Sequence, residues 1–429
     1  MSTGTALLLK SQQKAAYEKI LKFLDPKCSG SHFLLSGYAG TGKTFILKAL
    51  SEEFGNFDCC YCTPTNKATK VVARTLGVTT SSCKTIYSLL GIKMVPDEDR
   101  LILEFPKIPV DISCYRRIYV DEAGMLNRPL IKYIHQLSQQ FNTKWVFMGD
   151  PAQLPPVGEK QSKIWRLNCL NAQLEDVIRF DNELLQLATH IRRQIQRYPN
   201  TNLRLRSNHG ETEGVWKCKS GKFIDNIRAA ARKGLFTEID NTKAVAWRNK
   251  TVERLNDIIR AEIYGEQQAA ENKWLVGDRV TIAEPVQSGN RILAHIDDEG
   301  TISNIDVAYH SEYRDFDAYH LTIKLDEGRS IYISTVHEGS EDRLQRALND
   351  LAYEAKTRDK KRWRDFWGLR NAFHKSRHSY AFTAHRSQGS TFRNVFLDTQ
   401  DILSNSNSLE ALKCLYVGGS RATTKVILT

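Results

Sequence analysis

Apolar runs of a few residues, each ending at a glycine-rich or acidic turn, recur through the first part of the chain. His32-Phe33-Leu34-Leu35-Ser36-Gly37, Cys59-Cys60-Tyr61-Cys62-Thr63, Arg117-Ile118-Tyr119-Val120 and Lys144-Trp145-Val146-Phe147-Met148-Gly149 are the clearest. Runs so short and so apolar predict strands buried on both faces. Helical spacing lies between them, after Ser11 as far as Leu24 and again from Phe45 to Leu50, with Pro26 and Gly30 breaking the first helix. Alternating strands and helices predict a doubly wound α/β domain that binds its ligand at the carboxyl ends of the strands.

The pattern then departs from this alternation. Lys93 to Pro109 reads as a hairpin with Asp97-Glu98-Asp99 as its turn, flanked by Ile92, Met94, Leu101, Ile102, Leu103 and Phe105. An exposed apolar tip is costly unless it meets something. A wedge against a base pair is one use, and packing on a neighbouring domain is the other. From Trp274 to Ile333 short alternating strands with glycine turns predict a small β-barrel inserted into a second α/β domain, either a working part or a stabilising appendage. An apolar-periodic helix after Glu341 leads into a basic run with interleaved aromatics, Lys360 to Arg377. Trp363, Phe366 and Trp367 fall at i, i+3, i+4 and are expected to form a buried face, which leaves the cations free to track phosphates.

The turns carry the chemistry. Gly37 to Thr44 fits G-x-x-x-x-G-K-[ST] between a strand and a helix. Gly37, Gly40, Thr41 and Gly42 shape a loop whose N–H groups point at phosphate, and the helix that follows adds its positive end. Lys43 supplies a cation for the β- and γ-phosphates, and the Thr44 hydroxyl a ligand for Mg²⁺. Asp121, at a strand end, is placed to hold the same ion, Glu122 to polarise the attacking water, and Gln153 to sense the γ-phosphate. Gln13, just upstream, either reads an adenine edge or is an ordinary surface residue. Pro64-Thr65-Asn66-Lys67 opens a helix that either holds a backbone phosphate or is simply capped.

Composition adds a partner and excludes several classes. At 429 residues the chain has room for two or three domains, and its net charge of +12 favours a polyanion. There is no charged and apolar leader pattern at the N-terminus and no membrane-spanning run, so a cytoplasmic protein is expected. Nine cysteines do not make a disulfide framework in a chain of this length. Cys59 and Cys62 have metal-like spacing, but residues three apart on a strand face opposite sides, so core positions are expected.

The phosphate loop, Asp121-Glu122 and Gly149-Asp150-Pro151-Ala152-Gln153 together resemble motifs I, II and III of superfamily 1 helicases. Leu174-Glu175-Asp176-Val177-Ile178-Arg179 is similar to motif IV, Thr383-Ala384-His385-Arg386-Ser387-Gln388-Gly389-Ser390-Thr391 to motif V, and Leu415-Tyr416-Val417-Gly418-Gly419-Ser420-Arg421 to motif VI. Their order and spacing, Ala246-Trp247-Arg248-Asn249-Lys250 between them, and the short chain resemble the RecD-like group, superfamily 1B, and within it the small phage helicases.

The resemblance implies two RecA-like P-loop NTPase domains, with a hairpin insert in the first and an SH3-like β-barrel plus helical insert in the second. The first would cover 1–172 with its hairpin at 91–111. The second would cover 173–273 and 379–429, interrupted by an inserted domain at 274–378 (barrel 274–335, helices 340–378). It also implies ATP and Mg²⁺, single-stranded and forked duplex DNA, 5′→3′ movement, a monomer, replication or single-strand-binding proteins as partners, and the cytoplasm of a phage-infected cell. Gln13 would then sit on adenine, and Arg179 and Arg421 would reach the transferred phosphoryl group. Gln388 and Gly389 would join the second domain to the nucleotide. Pro64, Thr65, Lys67, Thr383 and His385 would touch the single strand, with Leu103 or Phe105 as the wedge. Three positions depart from the family: Tyr87 in place of a histidine, Gly418-Gly419 in place of bulkier residues, and Thr423 in place of a second basic residue. Two rivals stay open. A nucleotide-gated clamp would not be stimulated by single strands, and an RNA helicase would respond to RNA over DNA. A nuclease fused to a motor is disfavoured, since nearly every residue is already assigned to motor parts.

Overall fold

In the computed structural model the described residues are 4–78, 82–98, 100–176, 183–288 and 291–429. The apolar runs of the first lobe form one sheet of six parallel strands. Their order is Cys83–Thr85, Cys59–Thr63, Arg117–Val120, Lys144–Gly149, His32–Gly37 and Leu170–Leu174. Because side chains alternate along a strand, each run feeds two cores. Phe33, Leu35 and Tyr61 face the helices Ser11–Leu24, Lys43–Phe54 and Asn66–Leu76. Leu34, Cys62, Val120 and Phe147 face the helix Arg128–Gln140. Burying each such side chain contributes about 1.5–3 kcal/mol. Cys59 and Cys62 lie in opposite cores, as their spacing predicts. The strand order brings Gly37, Asp121 and Asp150 to one sheet edge.

The hairpin forms with the expected turn. Lys93–Asp97 pairs antiparallel with Arg100–Glu104, Met94 lies opposite Leu103, and Glu98 takes a left-handed φ of 53°. Phe105 follows the last paired residue and packs its ring edge-on to Tyr133, with centroids 5.2 Å apart, against the first-lobe core. It is therefore a hairpin base residue and not the expected wedge. Leu103 keeps 39% of its surface exposed.

The second lobe repeats the architecture. Ala381–Thr383, Thr242–Ala246, Phe392–Leu397, Ala422–Leu428 and Gly214–Lys217 run parallel in that order, with Asn208–His209 antiparallel at the edge. Between Thr242–Ala246 and Ala381–Thr383 the chain departs into a five-stranded antiparallel sheet: Ser330–Val336, Asp317–Leu325, Glu299–Tyr309, Arg279–Ile282 and Ser376–His378. Its last strand follows the helices Glu338–Thr357 and Arg362–Ala372, so the sheet extends past the expected limit at residue 335. Three residues carry too little alternation to be read as a strand. Phe366 and Trp367 are buried, as their spacing predicts, whereas Trp363 is only half-buried. The Trp367 indole N–H donates to the Glu98 carbonyl at 2.8 Å, so the hairpin turn is held by the helical insert. This is the packing alternative for the hairpin turn. Among the described residues no helix is long and apolar enough to cross a membrane.

Candidate nucleotide site and nucleic-acid interface

A cavity of about 570 Å³ opens between the lobes at the strand ends. Gln13, Gly40, Gly42, Lys43, Thr44, Asp121, Glu122 and Gln153 line it from the first lobe, and Gly389, Ser390, Ser420 and Arg421 from the second. The loop bends because Gly40 and Gly42 sit at φ 81° and 84°, where side chains are disfavoured. The Thr41 hydroxyl donates to the Tyr38 carbonyl at 2.8 Å and closes the bend from behind. Lys43 extends its ammonium across the loop, donating to the Gly37 and Tyr38 carbonyls at 2.6 and 3.1 Å. A phosphate entering the cradle would compete for that cation.

Gln13 is not a surface residue. It is 3% exposed, its amide N–H donates to the Thr41 carbonyl at 3.1 Å, and its oxygen accepts from the Lys10 N–H at 3.1 Å. A Cβ on Gly42 would lie 2.0 Å from the Gln13 amide nitrogen, so glycine is required there for packing as well as for φ.

Glu122 holds a left-handed conformation, φ 52° and ψ 34°. Such a backbone costs of order 1–3 kcal/mol in a residue with a side chain, and strain of this kind gathers at working sites. Its N–H donates to Asp121 Oδ1 at 2.8 Å. Burial raises both carboxyls, and the Asp121 charge helps push Glu122 up to about 7 despite Arg421 and Lys43. A carboxylate poised near neutrality suits a general base.

The second lobe meets this set directly. The Gln388 amide donates to Gln153 Oε1 at 2.9 Å, joining the two lobes through the expected sensor. Arg421 is buried at the cavity wall. Its guanidinium donates to Val417 O at 3.0 Å, Ser390 O at 3.2 Å and Ser420 Oγ at 2.9 Å. Gly418 lets this helix lie on the sheet, since a Cβ would fall 2.5 Å from Leu397 Cδ1. Arg179 lies outside the described residues.

The expected strand-contacting residues fare less evenly. Thr65 and Thr383 are helix N-caps whose hydroxyls accept from Ala68 N–H and Arg386 N–H, both at 3.3 Å. Pro64 and Thr383 are buried, which withdraws their side chains from a strand on the surface, whereas His385 is exposed. Lys67 pairs with Glu299 at 2.6 Å, and its neighbour Lys70 with Asp298 at 2.7 Å. Burial alone would raise the Glu299 carboxyl, but the Lys243 and Lys67 ammoniums hold it well below the usual range. Sequence reasoning missed these acidic partners. Their one signal was Asp297-Asp298-Glu299, three successive carboxylates in a chain of net charge +12.

Residues 8–214 match the AAA domain family model, and residues 378–429 match the UvrD-like helicase C-terminal domain. The chain is 26% identical to the ATP-dependent DNA helicase dda of Enterobacteria phage T4 over 96% of this chain and 97% of that one. Its fold is similar to that of two solved structures, each 18% identical. One is a Pif1 helicase structure described as a basis for DNA unwinding at forked duplex DNA, with a TM-score of 0.55 over 98% of this chain and 92% of that one. The other is Pif1 helicase from Bacteroides in complex with ADP-AlF3 and single-stranded DNA, with a TM-score of 0.51 over 96% and 91%.

Proposed function

We infer that this chain, a homologue of the superfamily 1B helicases, is an ATP-dependent DNA helicase. The observation that carries the reading is that Lys43 and Glu122 from one lobe and Arg421 from the other line a single cavity. A phosphoryl group placed there would be charge-compensated only while both lobes contribute. The donor set also fits Mg²⁺, since the Thr44 hydroxyl and the Asp121 carboxylate are oxygen ligands at the phosphate end of the cradle. The bound ion supplies neutralisation of phosphate charge. Glu122 orients the attacking water and takes its proton. Lys43 and Arg421 stabilise the charge that develops on the transferred group. Gln13 reads the adenine edge, and Gln153 and Gln388 relay occupancy between the lobes.

Closure and reopening of the cleft then shift two strand-binding surfaces against each other, which is movement along a single strand. Its direction in this reading is 5′→3′. The inserted sheet is an SH3-like barrel in an insert spanning 274–378, the lobes divide after the first-lobe strand Leu170–Leu174 and not at the expected residue 172, and the chain works as a monomer in the cytoplasm on forked DNA. Arg179 is a second arginine directed at the phosphoryl group. The Lys67–Glu299 pair gives way to a DNA phosphate when a strand enters.

The test is strand displacement from partial duplexes carrying one single-stranded tail, either 5′ or 3′, with and without ATP. Displacement that requires ATP and a 5′ tail is expected. ATP-dependent binding with no displacement would favour a nucleotide-gated clamp, and hydrolysis stimulated by RNA over DNA would favour an RNA remodeller.

Two further outcomes follow from the interface. Leu103→Ala should slow strand displacement while leaving single-strand-stimulated hydrolysis intact, since the exposed side chain does not line the cavity. Equal displacement by the variant and the parent would remove Leu103 as the wedge. Binding to single-stranded DNA should weaken linearly in log K against log salt, by about 0.7 for each phosphate neutralised. A flat titration would count against a basic strand-binding groove.

A further inference from the structure

The second lobe also reaches the phosphate loop through a residue with no role so far. Tyr416, 1% exposed, lies near the end of the Ser408–Gly419 helix, five residues before Arg421. Its phenol oxygen accepts the Ala39 N–H at 3.0 Å and donates to Asp150 Oδ2 at 2.6 Å. Both partners belong to the first lobe. Ala39 is in the phosphate loop, and Asp150 opens the turn that carries Gln153. The other Asp150 oxygen accepts the Ala152 N–H at 2.9 Å and shapes that turn.

The adjacent loop residue is held from the same side. The Gln196 amide donates to the Tyr38 hydroxyl at 2.7 Å, and the Arg192 guanidinium lies 4.0 Å from the centre of the Tyr38 ring. Burial and the Asp150 carboxylate keep the Tyr416 phenol protonated by pushing its pKa well above the ordinary value.

The chemistry leaves little freedom at this position. A backbone N–H only donates and a carboxylate only accepts, so the group between them must do both, and a hydroxyl does. Phenylalanine of the same shape would leave a buried N–H short of an acceptor and a buried carboxylate short of a donor. Arg421 is tied to the same helix end by its bond to Val417 O at 3.0 Å. Displacing Tyr416 therefore displaces the arginine.

We propose that Tyr416 is a positioning residue for ATP hydrolysis, its hydroxyl fixing the end of this helix, and with it Arg421, against the phosphate loop and the Gln153 turn. The inference rests on the reading of the cavity as an ATP-hydrolysing site.

Tyr416→Phe in the full chain tests it. The kcat of single-strand-stimulated hydrolysis should fall about tenfold to a hundredfold, the size of one lost hydrogen bond to a charged group, with the KM for ATP little changed. Binding of ADP with aluminium fluoride should weaken by a similar factor, while binding of ADP alone does not. A merely structural role would lower the unfolding temperature and keep the preference for the aluminium fluoride complex. That result, or turnover within about twofold of the parent, overturns the inference. If Tyr416→Phe does not fold, Asp150→Asn carries the same test, because it weakens the bond from the phenol while keeping an oxygen for Ala152. Absence of hydrolysis in the parent chain would instead remove the reading of the cavity, and this inference with it.

Discussion

Arg421→Ala is expected to lower ATP turnover by about 10³–10⁵-fold, the range over which an arginine aimed at a transferred phosphoryl group acts. The residue enters the cavity that Lys43 lines from the first lobe, so its loss removes the second lobe's arginine from the charge stabilisation. The substitution also removes bonds to Val417, Ser390 and Ser420, which invites the objection that the variant is only unfolded. Arg421→Lys answers it. A lysine retains the charge and most of the packing but not the planar fork, so it should fold and still turn over far more slowly than the parent. Circular dichroism of both variants with steady-state hydrolysis checks the claim. Near-parental turnover in either would place the phosphoryl chemistry elsewhere.

Glu122→Gln is the second large effect, about 10²–10⁴-fold on turnover, as for loss of a general base. Glutamine fits the same space and accepts the same left-handed backbone, so the protein should stay folded and keep its affinity for ATP. It should hold unhydrolysed ATP, measurable as retained labelled nucleotide on a filter. Lys43→Ala should also abolish turnover, but by a different route, through lost binding of the β- and γ-phosphates. Retained ATP in the first variant and none in the second separates the two roles. The same behaviour in both would contradict the assignment of Glu122 to the water.

Much of this site was legible because its residues are close in sequence to the turns that present them. The phosphate loop, Asp121-Glu122 and Gln153 each follow an apolar run that became a strand of the predicted kind, and a parallel sheet must bring such strand ends to one edge. The hairpin turn at Asp97-Glu98 was equally local. What was not legible was decided by distant partners. Phe105 has the same apolar character as Leu103, and only the position of Tyr133 packs it against the first-lobe core. Lys67 reads as a free cation until Glu299, 232 residues away, neutralises it. Pro64 and Thr383 occupy the expected turns, but burial is a property of the packed lobes and not of the motif. Gln13 was undecided between nucleotide and solvent, and its burial against the Thr41 carbonyl removes the solvent alternative.

In the proposed function the two lobes complete one ATP site when a strand lies across them. The most direct test is the turnover of saturating ATP by the parent chain, with and without single-stranded DNA. Marked stimulation by the strand, lost in Arg421→Lys, is the predicted result. Turnover that proceeds at the same rate whether or not DNA is present would contradict it.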